Sequence, residues 1–167
     1  MRTYNPAVAF PAPGTPLPPI ALQDEKGQAA PPLRGDTLYA FFKTTCPTCS
    51  LAWPYLDRIR RLGEAGHLAV IGVSQDDPQA NRRFLDRLGI SIPTLYDPEP
   101  WRESGRLGLT TVPTFLLVGA DGIVRDMATG FQRHKMEEFA KAASAKTGQP
   151  TPALFTPADD APALKPG

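Results

Sequence analysis

Apolar residues fall in this chain either in short unbroken blocks or at three- and four-residue intervals, and the two patterns alternate from residue 37 onward. Leu38-Tyr39-Ala40-Phe41-Phe42 is apolar throughout, as expected of a strand covered on both faces. From Pro47 the spacing changes, and Leu51, Tyr55, Leu56, Ile59 and Leu62 predict a helix over 47–62, started by Pro47 and broken by Gly63 and Gly66. The run Leu68 to Ser74 follows as a second buried strand, so strand, helix and strand form a parallel crossover. Asp77 as cap and Pro78 at the first position open a second helix, which carries Phe84, Leu85 and Leu88 to a stop at Gly89. A short strand over 92–96 and a short helix over 99–107 come next. An antiparallel hairpin over 114–118 and 123–127, turned by Gly-Ala-Asp-Gly, and a last helix over 133–146 complete the expected elements.

The two ends read differently. Residues 1–14 are rich in Pro and Ala and predict an extended arm; 20–22 and 28–30, with a turn at Lys26-Gly27, predict a small hairpin. After Gly148, five prolines among Thr, Ala and Asp leave few apolar anchors, which predicts a disordered tail over 148–167. The expected organisation is one α/β domain over 15–147, a central mixed β-sheet flanked by helices with an extra N-terminal hairpin.

Charge narrows the partners. Eighteen basic and seventeen acidic residues give a net charge of +1, so there is no basic field for nucleic acid. No apolar run is long enough for membrane insertion, and the first twenty residues hold six prolines instead of an export signal. A cytoplasmic monomer is the default expectation, with an exported or membrane-associated home if a leader has been removed.

The chemistry is concentrated in Cys46 and Cys49, the only two cysteines. Three residues apart at a strand-to-helix junction in a βαβ pattern, they read as a redox dithiol that closes to a Cys46–Cys49 disulfide and reopens. The attacking species is the thiolate, which the partial positive charge and free N–H groups of a helix start favour, so Cys46 is the expected nucleophile. Cys49, one turn along, is the expected resolving thiol. Half a zinc site is the competing reading, but the remaining ligand candidates, His67 and His134, lie at no knuckle spacing, and neither metal nor cofactor is expected.

Cys-Pro-Thr-Cys at the start of the first helix, followed in the right order by Thr111-Val112-Pro113-Thr114 before the hairpin, resembles the thioredoxin-fold disulfide reductases. Within them the chain looks like the TlpA-like branch, which includes the cytochrome-c-maturation thioredoxins. Its Pro-Leu-Pro-Pro lead-in, Ile71 to Asp77 and Gly-Ala-Asp-Gly segments are also similar to that branch. The likeness covers residues 15–147. It implies a thioredoxin fold, a cis bond before Pro113 facing the dithiol, and a Val112 backbone that pairs with an extended substrate segment beside Pro47 and Thr48. The implied partners are protein disulfide substrates and an upstream electron donor.

Three positions depart from those relatives. Thr45 stands where a tryptophan is common, Ala40 where thioredoxin has a buried aspartate, and Ala52 where several TlpA-like proteins have a glutamate. Without those acids the couple is expected to be less reducing than thioredoxin's ~−270 mV, and proton removal from Cys49 to be slow unless Asp76 or a water substitutes. Trp53 and Trp101 could line a substrate groove but read first as core or half-buried filler on helical segments, His67 reads as a turn residue, and Arg58, Arg60, Arg61, Arg82, Arg83 and Arg87 read as solvated helix faces. Two rival functions remain. A peroxiredoxin-like peroxidase needs a proline and a hydroxyl where this chain has Tyr39 and Lys43; a metal-delivery protein would use the dithiol as ligand.

Overall fold

The computed structural model describes residues 10–167, and most of the expected N-terminal arm lies outside them. β1 (Asp36–Phe42) is the middle strand of a five-stranded sheet of order β3-β2-β1-β4-β5. It pairs in parallel with β2 (Leu68–Ser74), which in turn pairs in parallel with β3 (Thr94–Tyr96). On its other edge it pairs antiparallel with β4 (Thr114–Val118), followed by β5 (Val124–Thr129). The fold is the thioredoxin type that the resemblance implies.

The unbroken apolar block of β1 has the expected cause. Leu38, Ala40 and Phe42 face a core shared with α1 (Pro47–Gly66), α2 (Pro78–Leu88) and α4 (Arg133–Ser144). Tyr39 and Phe41 point the other way, onto Val73, Leu95, Leu107 and Leu116. Among the described residues no long helix lies over that second face. Leu17, Ile20, Leu22 and Leu33 of the N-terminal segment cover it instead, held by the small hairpin in which Gln23 bridges Ala29. These four side chains are partly buried, so each contributes less than the roughly 1.5–3 kcal/mol of a fully buried one, and together they let a Pro-rich lead-in cap a sheet face without forming an element of its own.

Two expectations need correction. Gly63 and Gly66 do not break α1, which continues to Gly66 and ends where His67 takes the left-handed conformation at φ 60°. A Cβ at Gly63 would overlap the Leu68 carbonyl oxygen, and one at Gly66 would overlap that of Ala143. These glycines therefore serve close approach of α1 to β2 and α4, which a propensity argument cannot see.

The six arginines keep to the solvated helix faces expected of them, Arg60 alone being partly buried, and four of them also make ion pairs. Arg60 and Arg61 both pair with Asp57, which is buried, and Arg82 ties α2 to Glu25 of the small hairpin. Arg58 reaches back to the C-terminal segment, donating to the Leu154 carbonyl at 2.9 Å and to both carboxylate oxygens of Asp159 at 2.9 and 2.8 Å.

The second correction is the tail, which is packed against the domain. Leu154 and Phe155 are buried in the main core, with the Phe155 ring 4.5 Å from Tyr55 and 6.1 Å from Phe131. The Arg133 guanidinium lies 4.6 Å over the Phe155 ring, and Arg58 holds the Asp159 carboxyl well below the ordinary carboxylate range. A 3₁₀ turn at Pro157–Asp159 then leads to β7 (Leu164–Lys165), which pairs antiparallel with β6 (Phe131–Gln132). Two well-seated anchors offset the low average hydrophobicity that predicted disorder. Phe155→Ala is accordingly expected to destabilise the protein by about 3 kcal/mol in denaturant unfolding, whereas an undocked tail would give no change.

Candidate active site

α1 begins four residues beyond β1, and Cys46 is its N-cap, with extended backbone angles of φ −82° and ψ 117°. A helix start leaves its first N–H groups without backbone partners, and an oxygen side chain usually satisfies one of them. Here sulfur takes that role: Cys46 Sγ accepts the Cys49 N–H at 3.2 Å. Both cysteines are free thiols, Cys46 half-buried and Cys49 fully buried. Burial pushes the Cys49 thiol far above its ordinary value of 9.0, and its hydrogen bond with Cys46 and the nearby Cys46 and Asp76 charges push the same way. Ala40 and Ala52, at the positions where relatives carry acids, join Cys49 and Trp53 in the apolar core. The buried thiol thus rests on an apolar floor.

The sheet brings the second motif to the same place. β4 runs antiparallel to β1 with Thr114 opposite Phe41, so the residues that enter β4 lie beside the residues that leave β1. The Val112–Pro113 bond is cis, and the Val112 carbonyl accepts from the Cys46 thiol at 3.7 Å. β5 ends at Thr129 opposite Thr114, and the Gly130 N–H donates to the Pro113 carbonyl at 2.8 Å. Pro47 is exposed at the helix start, while Thr48 is buried and donates its hydroxyl to the Pro166 carbonyl at 2.6 Å.

Asp76 lies past the end of β2, where it accepts both the backbone N–H of Thr44 at 2.7 Å and its hydroxyl at 2.9 Å. It therefore ties down the loop that carries Cys46. Beside it a groove of about 330 Å³ is lined by Lys43, Gln75, Trp101, Ser104, Thr111 and Val112. Trp101 is only half-buried: its indole N–H donates to the Gln75 carbonyl at 3.1 Å, and the Lys43 ammonium sits 4.0 Å over the ring. It is a groove wall, unlike Trp53, which is core as expected. α3 (Arg102–Arg106) is fixed beneath the groove by buried Asp97, which accepts the N–H groups of Glu103 and Ser104 and the Ser104 hydroxyl.

Lys43, Gln75 and Gly130 carried no signal in the sequence, because a lysine, a glutamine and a glycine in loops are ordinary. Residues 163–167 were hidden by their composition. Among the described residues no group of three or more His, Cys, Asp or Glu side chains is placed to hold a metal ion, and no helix is long and apolar enough to cross a membrane.

Solved structures share this architecture at low identity. A Chlorobium tepidum protein, provisionally described as a thiol:disulfide interchange protein DsbE, aligns with TM-score 0.71 at 20% identity over 83% of this chain and 99% of its own. A secreted Mycobacterium tuberculosis disulfide oxidoreductase, described as homologous to Escherichia coli DsbE, aligns with TM-score 0.60 at 16% identity over 76% and 96%. StoA from Bacillus subtilis aligns with TM-score 0.59 at 16% identity over 76% and 98%. No curated protein matches the sequence. The family model described as Redoxin matches residues 12–145, which takes in the dithiol, the cis-proline segment and the whole sheet, and on that match the chain belongs to the redoxin family.

Proposed function

We propose that this protein is a thiol-disulfide oxidoreductase that reduces or exchanges protein disulfides through Cys46 and Cys49. The observation that carries the reading is the Cys49 N–H to Cys46 Sγ hydrogen bond at a helix start: it fixes the more exposed sulfur on a helix-start donor and keeps the second cysteine within a turn of it. The Cys46 thiolate attacks a substrate disulfide, forming a Cys46–substrate mixed disulfide and releasing the other substrate sulfur as a thiolate that takes a proton. Cys49 then gives up its proton and attacks Cys46 Sγ. The second substrate thiol leaves, the Cys46–Cys49 bond forms, and two electrons have passed to the substrate; an upstream dithiol donor restores the pair.

In this reading Val112, Pro113, Pro47 and Thr48 form the surface for an extended substrate segment, with the open groove at Trp101 on one side of it. The description of the M. tuberculosis neighbour as secreted favours an exported home over the cytoplasmic default. The peroxidase alternative is weakened by Tyr39, which is buried in the second core, and by Lys43, whose ammonium is engaged with Trp101.

Cys46→Ser is expected to abolish reduction of insulin disulfides, while Cys49→Ser should accumulate mixed disulfides visible by mass spectrometry and fail to turn over; equal activity in the two variants would refute these roles.

Asp76 is the proposed proton acceptor for Cys49. Asp76→Asn keeps an oxygen for Thr44 and removes the carboxylate base, so the second step should slow by about 100-fold in single-turnover experiments while the first stays within a factor of a few. Slowing of both steps equally would mean that Asp76 only shapes the loop.

Burial of Cys49 also sets a pH dependence. Because its folded value lies above its unfolded one, the folded state keeps this proton where the unfolded chain releases it. The resulting stabilisation is complete below the unfolded value and is lost as pH rises toward the folded one. Above about pH 9 the reduced protein should therefore lose stability more steeply than Cys49→Ala, with parallel behaviour at pH 7, as read by denaturant unfolding.

A further inference from the structure

The C-terminal residues lie on the surface assigned above to substrate. Beyond the Phe155 and Asp159 anchors, β7 pairs with β6, and the Arg133 N–H donates to the Ala163 carbonyl at 3.0 Å. The Pro166 carbonyl accepts the hydroxyl of Thr48, inside the Cys-Pro-Thr-Cys turn. Gly167 then meets the segment before Pro113 so closely that a Cβ there would overlap the Val112 carbonyl oxygen and stand 2.7 Å from the Thr111 γ-methyl. From the opposite side, a Cβ on Gly130 would stand 2.8 Å from the Lys165 carbonyl oxygen and 3.2 Å from the Gly167 nitrogen. The last residues are thus an extended backbone held between Thr48, Val112 and Gly130, and the Val112 carbonyl is the same atom that accepts from Cys46.

We propose that residues 163–167 are a resident strand in the peptide groove of the dithiol, a strap that a protein substrate must displace. This rests on the disulfide-exchange reading of the site. The geometry separates substrates by size. Cys46 remains half-buried and the Trp101 groove stays open beside it, so a small disulfide reaches the sulfur without moving the strap. An extended polypeptide needs the Val112 backbone, which the strap occupies. The strap is built to leave: Leu164 is 62% exposed, so the segment is held by backbone pairing and one hydroxyl, with little apolar burial. Leu154, Phe155 and the Arg58–Asp159 pair stay fixed upstream, so a displaced strap remains tethered at high effective concentration and returns when product departs.

Two variants of the full chain, both outside the core and the dithiol, test this. Gly167→Val places a side chain against the Val112 carbonyl, and Lys165→Pro removes a ladder donor from β7. In reduced protein, alkylation of Cys46 by a maleimide bearing a long polyethylene glycol chain should rise about tenfold in both variants, the gain expected when a mostly closed site is opened. Alkylation by iodoacetamide should change less than about twofold, since that reagent fits beside the strap. Insulin reduction should rise in step with the bulky reagent, and reduction of a small aromatic disulfide should not. If the ratio of bulky to small alkylation is the same in wild type and both variants, the strap does not guard the groove and the proposal is overturned. Alkylation needs no turnover, so the ratio judges the strap independently: absence of disulfide reduction in every form would defeat the functional reading alone.

Discussion

The hydrogen bond from the Cys49 amide to the Cys46 sulfur depends on a general property of helices: the first turn has N–H groups that the helix itself does not satisfy. Placing a cysteine at the N-cap turns that deficiency into a stabilising field for a sulfur anion. Much of the surrounding structure keeps this helix start where it is. Asp76 holds Thr44, the Gln75 N–H donates to the Phe42 carbonyl, and Pro47 begins the helix where its missing donor costs nothing.

The two sulfurs are made unequal by their surroundings. Cys46 stands at an edge with solvent and a groove beside it, while Cys49 points into a core floored by Ala40, Ala52 and Trp53. Substituting alanine for the acids that relatives carry makes that floor drier. It also leaves Asp76 as a carboxylate whose charge raises the Cys49 thiol, and that side chain is already engaged in holding Thr44. One residue thus couples the position of the Cys46 loop to the electrostatics of Cys49.

The C-terminal segment has two parts with different physics. Leu154 and Phe155 are buried and clasped by Arg58 and Arg133, which fixes the segment to the helical face. Residues 163–167 bury little and depend on backbone pairing, which is directional and reversible. A firmly fixed base and a loosely held end make the segment both ordered and displaceable.

The local sequence was enough for the elements that local chemistry dictates. Asp77, Pro78 and Gly89 bound α2 as expected, because a side-chain cap, a fixed φ and a left-handed glycine act within a few residues. The block Leu38 to Phe42 marked the doubly covered strand, and the spacing of Cys46 and Cys49 placed both at the start of the helix that follows it, since a strand-to-helix junction is legible locally. What depended on distant partners was not legible. Gly63 and Gly66 look like helix breakers until Leu68 and Ala143 are seen against them; Trp101 looks like filler until Gln75 and Lys43 are seen against it on the wall of a groove; the exposed Arg58 gives no sign of its partner until Asp159 folds back onto it. The tail was the largest such case. Average hydrophobicity governs whether a segment can order itself in isolation, whereas docking onto a finished surface needs only a few side chains with pockets to enter, and those pockets exist only once the sheet and helices have packed.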